Sequence, residues 1–339
     1  MPKKLRVGII GLGWPGVEHL KGYLTTDKAE VVAVCDVDAE RRERIAAEHK
    51  VPAAFADHKT MLREAELDAV SNCLPNFLHA PVTLDALRAG KHVLCEKPPA
   101  MSAKEAAAMA ALAKQKRRTL MYALCLRFGA DSMIVRDYVD RGELGEIYFG
   151  KAGYVRRRGI PIGKGGWFVD KKRSGGGALI DIGVHALDRC WWLMGCPRPV
   201  AVLGSVYQKF RSQVPKDVKF DVDDAAFALI KFANGATLIL EATWAINLPG
   251  GGWCEIAGTK GGARITPLTI FTERDGTQLD ITPQPANPNA NMMAGETVHF
   301  VECCLTGKKP LMDADQGVQL MKMLDGIYRS QSTGREVRL

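Results

Sequence analysis

The 339-residue sequence predicts an α/β fold in two parts. A doubly wound parallel sheet is expected over residues 1–126, followed over 127–339 by an α+β domain with a large, mostly antiparallel open sheet. Three observations lead there. Short β-branched runs alternate with helical stretches through the first third; the alternation stops near residue 126; and longer strands with a strong Asn234-Gly235 turn signal follow. The length also exceeds what one hydrophobic core usually organises.

The first-part strands are predicted at 5–10, 30–35, 68–74, 92–95 and 119–124. Gly90 stops the helix predicted over 80–89, and Ser102 with Glu105 makes a capping box that opens a helix over 102–116. An amphipathic stretch over 131–141 marks the transition. Strands are then expected at 147–157, 201–210, 223–232 and 236–246. In the last of these Leu238, Leu240, Ala242, Trp244 and Ile246 alternate with more polar neighbours. An apolar helix over 178–194 ends at Gly195. Residues 283–291 read as a loop, 296–305 and 315–330 as helices, and no internal repeat is visible.

Composition narrows the function classes. Apolar residues make up 47% and charged residues 25%, the balance of a chain that folds unaided rather than a disordered one. No apolar run approaches the roughly 18 residues of a membrane helix, and Gly8 and Gly11 come too early for a secretory segment. A soluble, cytoplasmic protein without a membrane partner is expected. Nine cysteines without a C-x-x-C pair or zinc spacing argue against a disulfide framework and against a metal. The net charge of +8 comes with no nucleic-acid motif, so no nucleic-acid partner is expected.

Gly11-Leu12-Gly13-Trp14-Pro15-Gly16 follows the first strand and begins a helix, the context in which G-x-G-x-x-G binds a dinucleotide pyrophosphate in a Rossmann domain. Pro15 suits a first helical position, where an N–H would have no intrahelical partner. Asp36 closes the second strand, placed to accept hydrogen bonds from the adenosine ribose and to repel a 2′-phosphate. NAD is therefore expected as cofactor, while Arg41 and Arg42 keep NADP open.

Two groups carry candidate chemistry. Asp181, His185 and Asp188 fall at i, i+4 and i+7 of the 178–194 helix, on one face. A carboxylate one turn from a histidine can orient the ring and stabilise its cation, as a general base for a hydroxyl proton requires. Gly183 between them weakens the helix, which suggests close approach by another group. The competing reading is a buried histidine satisfied by its helical neighbours. Lys97, in Cys95-Glu96-Lys97-Pro98-Pro99, lies at the carboxyl end of a strand, where open α/β sheets bind ligands. An ammonium there can hold a substrate hydroxyl and stabilise charge developing on oxygen. Taken singly, it is more often a surface charge.

These segments, with Cys73-Leu74-Pro75-Asn76-Phe77-Leu78-His79 and the run from Gly175-Gly176-Gly177 through Asp188, resemble the Gfo/Idh/MocA family, named for glucose-fructose oxidoreductase and inositol dehydrogenase. The resemblance implies Lys97, Asp181 and His185 as the catalytic set, His185 taking the hydroxyl proton and Lys97 holding the same oxygen. It implies Gly11, Leu12, Gly13, Trp14, Gly16, Asp36, Leu74, Pro75, Asn76, His79, Glu96 and Lys97 around NAD, with Pro75, Asn76 and His79 lining the nicotinamide ribose. It also implies an exposed sheet face that supports a homodimer or homotetramer. Cys125-Leu126-Arg127-Phe128 departs from the family, many of whose members carry Asn or Gln before Arg-Phe.

For the substrate, Tyr154, Arg156 and Arg158 alternate onto one strand face, and Trp167-Phe168 offers an aromatic platform for a sugar ring. The residues between Arg158 and Gly177 resemble relatives that oxidise ring hydroxyls of glycosides. Hydride transfer between a ring secondary alcohol of a sugar, glycoside or related polyol and NAD, giving a keto-sugar, is the expected activity. An NAD-dependent glycosidase acting through transient oxidation, without net NADH, is the alternative within chemistry. A non-catalytic NAD-binding sensor is the alternative outside it.

Overall fold

A computed structural model describes residues 4–339, which divide into two compact units. One comprises Met1–Cys125 with Asn291–Val318, the other Leu126–Ala290 with Gln319–Leu339.

The first unit runs β1 (Leu5–Ile10), α1 (Trp14–Tyr23), β2 (Ala29–Cys35), α2 (Ala39–Glu48), β3 (Ala53–Phe55), α3 (His58–Glu64), β4 (Ala69–Asn72), α4 (His79–Arg88), β5 (His92–Glu96), α5 (Ala103–Lys116) and β6 (Leu120–Ala123). Its six strands are ordered β3-β2-β1-β4-β5-β6 and every neighbouring pair is parallel. That is the doubly wound order, reversing between β1 and β4, and ligands of such sheets bind beyond the strand ends at the reversal. Both faces of β1 and β4 are covered by helices, which is why these strands read as nearly continuous apolar runs. Helix starts follow their caps: Asp38, Asp57 and Ser102 side chains each accept from a first-turn amide. At α5 the Ser102 Oγ accepts from Glu105 N–H, and the Glu105 carboxylate reaches one residue further back, to Met101 N–H.

The second unit begins with α6 (Ala130–Asp140), β7 (Ile147–Val155), the short α7 (Lys171–Ser174) and α8 (Val184–Leu193). It continues through β8 (Pro199–Tyr207), β9 (Ala225–Phe232), β10 (Thr237–Thr243), β11 (Gly251–Gly258), β12 (Gly262–Ile265), β13 (Leu268–Arg274) and β14 (Thr277–Ile281). The chain then runs through α9 (Met292–Thr306), α10 (Ala314–Thr333) and β15 (Val337–Arg338). The nine-stranded sheet is ordered β14-β13-β12-β11-β7-β10-β9-β8-β15, antiparallel throughout except at β7–β10. A parallel pair needs a long crossover, supplied here by everything between β7 and β10. The β9–β10 hairpin turns at Asn234-Gly235, with Gly235 at φ +87°.

Several expectations change. The 178–194 segment is not one α-helix: Leu179–Gly183 forms a turn of π-helix before α8 starts at Val184. Gly183 makes room here, because a Cβ on it would stand 2.9 Å from Ala242 Cβ on β10. Helix α1 starts at Trp14, so Pro15 is its second residue. Strand β7 stops at Val155, short of 157. Strands β11 to β14 had no counterpart in the sequence reading; in β11 and β12 glycines at 251, 252, 258 and 262 interrupt the alternation. Finally, Asn291–Val318 does not stay with the second unit. The buried residues Phe300, Val301 and Cys303 of α9 find cover in the first unit, where Thr297 and Ala294 close on Gly22 of α1. Amphipathicity fixes which face of α9 is buried but not against what.

In the turn from β1 to α1, a Cβ on Gly16 would stand 1.9 Å from Gly11 O, whereas one on Gly13 would meet nothing nearer than Pro15 Cδ at 3.8 Å. Gly16→Ala is expected to cost about 3 kcal/mol through overpacking against backbone, and Gly13→Ala less than about 0.5 kcal/mol. Urea denaturation of the two variants checks this; equal midpoints would contradict it.

Candidate active site

In the first unit the fingerprint glycines divide their work. Gly11, at φ +89°, has Cys73 O 2.7 Å from where a Cβ would lie, so it lets β1 turn sharply beside β4. Gly16 brings α1 flush against that turn. Gly13 caps α1 in an extended conformation and faces open space, and neither a side-chain cap nor an acidic first-turn residue occupies the helix start. First-turn amides and a helix dipole aimed into open space are what a pyrophosphate requires, so these residues fit a dinucleotide. Trp14 beside them is 71% exposed.

Asp36 directly follows β2 and is largely buried. Its carboxylate accepts from Leu12 N–H at 2.8 Å and Asp38 N–H at 2.9 Å, and the Arg41 guanidinium stands 3.3 Å away. The Arg42 guanidinium donates to Asp36 O at 2.8 Å. Asp36 thus ties the glycine turn to the second strand.

Leu74, Pro75, Asn76 and His79 follow β4. Asn76 is buried; Leu74 and Pro75 are half-buried. His79 is fully buried, with Nδ1 2.7 Å from Pro98 O and Nε2 2.8 Å from Leu74 O, and burial lowers its pKa below the usual imidazole range. Its ring nitrogens are spent on backbone, so His79 braces the loops after β4 and β5, in place of the nicotinamide-ribose contact that resemblance implied.

Glu96 ends β5 and is buried. One oxygen accepts from Lys97 N–H at 3.0 Å; the other lies 3.2 Å from Nε2 of His19 on α1. Burial pushes the Glu96 pKa up, but the His19 contact and charge and the nearby Lys97 outweigh it and hold the group below the usual carboxylate range. Behind His19, Nδ1 meets Ser71 Oγ at 3.1 Å, Ser71 Oγ meets the buried Tyr23 hydroxyl at 2.8 Å, and Glu296 of α9 lies 3.9 Å from Nε2. Lys97, half-buried, follows from this buried chain of polar groups. The sequence reading missed His19 and Glu296; an ionisable residue one turn past the glycines was the only available signal.

In the second unit Asp181 and His185 are half-buried, Asp181 on the π-helical turn and His185 at the start of α8. Trp244, fully buried just after β10, donates its indole N–H to Asp181 Oδ2 at 3.0 Å. Trp244 also sits in an apolar cluster with Val169, Ile182, Val214 and Phe220, so the carboxylate is held by a residue that cannot move freely. The sequence reading counted Trp244 only as a core position. Asp188 does not share the exposed face with Asp181 and His185. It is buried and bidentate to buried Arg127, at 2.9 and 2.6 Å, because an ionised carboxylate without water needs a cation. Burial raises the Asp188 pKa, against the pull of Arg127.

The expected substrate face is altered too. Arg158 lies beyond β7, and its guanidinium donates to Ile246 O at 2.9 Å and Asn247 Oδ1 at 2.6 Å and covers Phe210. It ties loops together instead of continuing the alternation. Arg156 folds over Tyr154, 5.2 Å from the ring centroid. Trp167 and Phe168 are half-buried, their ring centroids 3.9 Å apart, in a turn set by Gly163, Gly165 and Gly166 at positive φ. Among the described residues there is no cluster of metal-ligating side chains and no helix long and apolar enough to cross a membrane.

Comparison with known proteins agrees with this arrangement. Residues 5–124 match the GFO_IDH_MocA model, described as an oxidoreductase family with an NAD-binding Rossmann fold, and residues 133–264 match the GFO/IDH/MocA C-terminal domain. The chain is 34% identical over 351 aligned positions to the D-glucoside 3-dehydrogenase of Escherichia coli strain K12, covering 99% of this chain and 97% of that one. It is 30% identical over 265 positions to the levoglucosan dehydrogenase of Pseudarthrobacter phenanthrenivorans, 71% of this chain and 68% of the relative. Among solved structures, the aldose-aldose oxidoreductase from Caulobacter crescentus, complexed with glycerol, superposes with a TM-score of 0.84 at 27% identity, over 99% of this chain and 100% of that one.

His79→Leu removes the imidazole between Pro98 O and Leu74 O and leaves one of these carbonyls without its donor; it is expected to cost about 1–3 kcal/mol, read as a lowered thermal midpoint, and an unchanged midpoint would remove the brace assignment. Asp36→Ser removes the anion beside Arg41 and is expected to tighten NADPH binding relative to NADH by about tenfold in fluorescence titrations. An unchanged ratio would take cofactor selection away from Asp36.

Proposed function

Because the chain belongs to the Gfo/Idh/MocA oxidoreductase family, we propose that it is an NAD-dependent dehydrogenase that reversibly oxidises a ring secondary alcohol of a sugar or glycoside to a ketone. The observation that carries this reading is the full-length likeness to D-glucoside 3-dehydrogenase, joined to a phosphate-ready helix start in the first unit and a clamped Asp181 in the second. NAD, when held at the glycine turn, would supply the hydride acceptor for the carbinol carbon. His185 takes the hydroxyl proton, the ordinary task of an imidazole near neutral pH. Lys97, anchored through Glu96, puts a positive charge on the carbinol oxygen. Asp181, its carboxylate fixed by Trp244, contacts the substrate or stabilises the His185 cation. Pro75 and Asn76 line the nicotinamide ribose, and Trp167 and Arg156 serve the sugar.

The wider reading follows from the same family. The nine-stranded sheet leaves Tyr148, Leu203 and Tyr207 exposed, apolar area that suits a second copy in a homodimer or homotetramer. All nine cysteines are free thiols, as a cytoplasmic enzyme requires.

The test is NADH absorbance after mixing protein and NAD with free sugars, glycosides and inositols. One substrate group is expected to give NADH, and Lys97→Met and His185→Ala to lower kcat about 10²- to 10⁴-fold with NADH affinity within about twofold of wild type. Silence across the panel, or variants as active as wild type, would overturn the reading.

A further inference from the structure

We infer that Asp223 and Tyr328, neither of which touches the reacting groups, position the turn that carries Asp181 and leads into His185. The inference rests on the dehydrogenase reading for what that turn does, but its geometry stands by itself. A helix start leaves amide donors that need acceptors. Here one carboxylate takes two of them: Asp223 Oδ1 accepts from Gly177 N–H at 2.8 Å and Oδ2 from Leu179 N–H at 2.9 Å. Its backbone oxygen takes a third, from Ala178 N–H at 3.0 Å. Asp181 N–H in turn donates to Gly177 O at 2.9 Å, so the backbone of Asp181 is one hydrogen bond removed from the residues Asp223 holds.

The carboxylate is itself held. The Tyr328 hydroxyl, from α10, donates to Asp223 Oδ1 at 2.7 Å, and Asp223 is almost fully buried. Burial raises its pKa against the pull of four hydrogen bonds, the mark of a group whose bonds must be kept. The glycine run explains itself on the same terms. A Cβ on Gly177 would lie 1.7 Å from Asp223 O, and one on Gly176 2.0 Å from the Tyr328 hydroxyl. These glycines are spaces cut for the two residues that hold the turn, rather than for a ligand.

The neighbouring residue completes the clamp. Asp224 O accepts from Trp244 N–H at 2.8 Å, and the Trp244 indole holds the Asp181 carboxylate. The 223–224 dipeptide therefore sets both the backbone of Asp181, through Asp223, and its side chain, through Trp244. Losing one of these bonds moves the turn by a fraction of an ångström while Trp244, Ile182 and Ala178 keep their packing, and misplacement on that scale is felt in the chemical step before it is felt in folding.

The test compares the full-length wild type with Tyr328→Phe and Asp223→Asn, using the sugar that gives wild type its highest rate. The phenylalanine deletes only the hydroxyl; the asparagine keeps one acceptor oxygen, and its amide faces a donor. We expect kcat to fall about tenfold in Tyr328→Phe and about a hundredfold in Asp223→Asn, with KM for the sugar changing less than kcat. NADH affinity and thermal midpoint should stay near wild type in Tyr328→Phe. Wild-type kcat in both variants would overturn the positioning role and leave the proposed function standing. Parallel loss of kcat, NADH affinity and midpoint would overturn it in favour of a merely structural bond. A wild type without turnover on any sugar would overturn the proposed function, and this inference with it.

Discussion

The first unit depends on the approach of one backbone segment to another. Gly16 of α1 sits so close to Gly11 O that no side chain fits between them, and Gly11 turns at positive φ against Cys73 O. That contact fixes where α1 leaves the sheet, and the rest of α1 is organised from there. His19 reaches Ser71 and Glu96, Tyr23 reaches Ser71, and Gly22 receives α9. A helix displaced by the width of a methyl group would lose each of these contacts, because close-packed interiors transmit such shifts rather than absorb them.

The second unit is ordered by buried polar groups with few alternatives. Arg127 and Asp188 satisfy each other without water, Asp223 gathers donors from two segments, and Trp244 spends its only polar side-chain atom on Asp181. Such groups contribute little net stability compared with apolar replacements, but they penalise every arrangement that leaves one of them unpaired. The outcome is a half-buried Asp181 on the π-helical turn and a half-buried His185 at the start of α8, with the Asp181 carboxylate held by a buried indole.

How legible this was varied with how local the information is. The glycine fingerprint, Asp36, Lys97 and the Asp181–His185 spacing stand out in the sequence because each is a short pattern with its own chemistry. Asp188 was misread because its partner, Arg127, lies 61 positions away in the chain. His79 looked like a cofactor contact because its two carbonyl partners, Leu74 O and Pro98 O, carry no side-chain signature. Arg158 was placed on a strand that stops three residues earlier. Strands β11 and β12 escaped notice because their glycines break the period-two pattern that marks a half-buried strand.

Period, punctuation and residue chemistry act over a few neighbours, and within that range the sequence by itself determined a great deal. It set the parallel αβ alternation, the helix start that accepts phosphate, the β9–β10 hairpin, and which side chains have the chemistry for hydride and proton transfer. What only the tertiary structure decided is which distant groups meet. Asn291–Val318 returns to the first unit to set Glu296 near His19, Tyr328 reaches Asp223 across 105 positions, and Arg127 reaches Asp188 across 61. Those pairings follow from packing and from the need to satisfy every buried polar atom at once, a condition on the whole fold that no window of sequence contains.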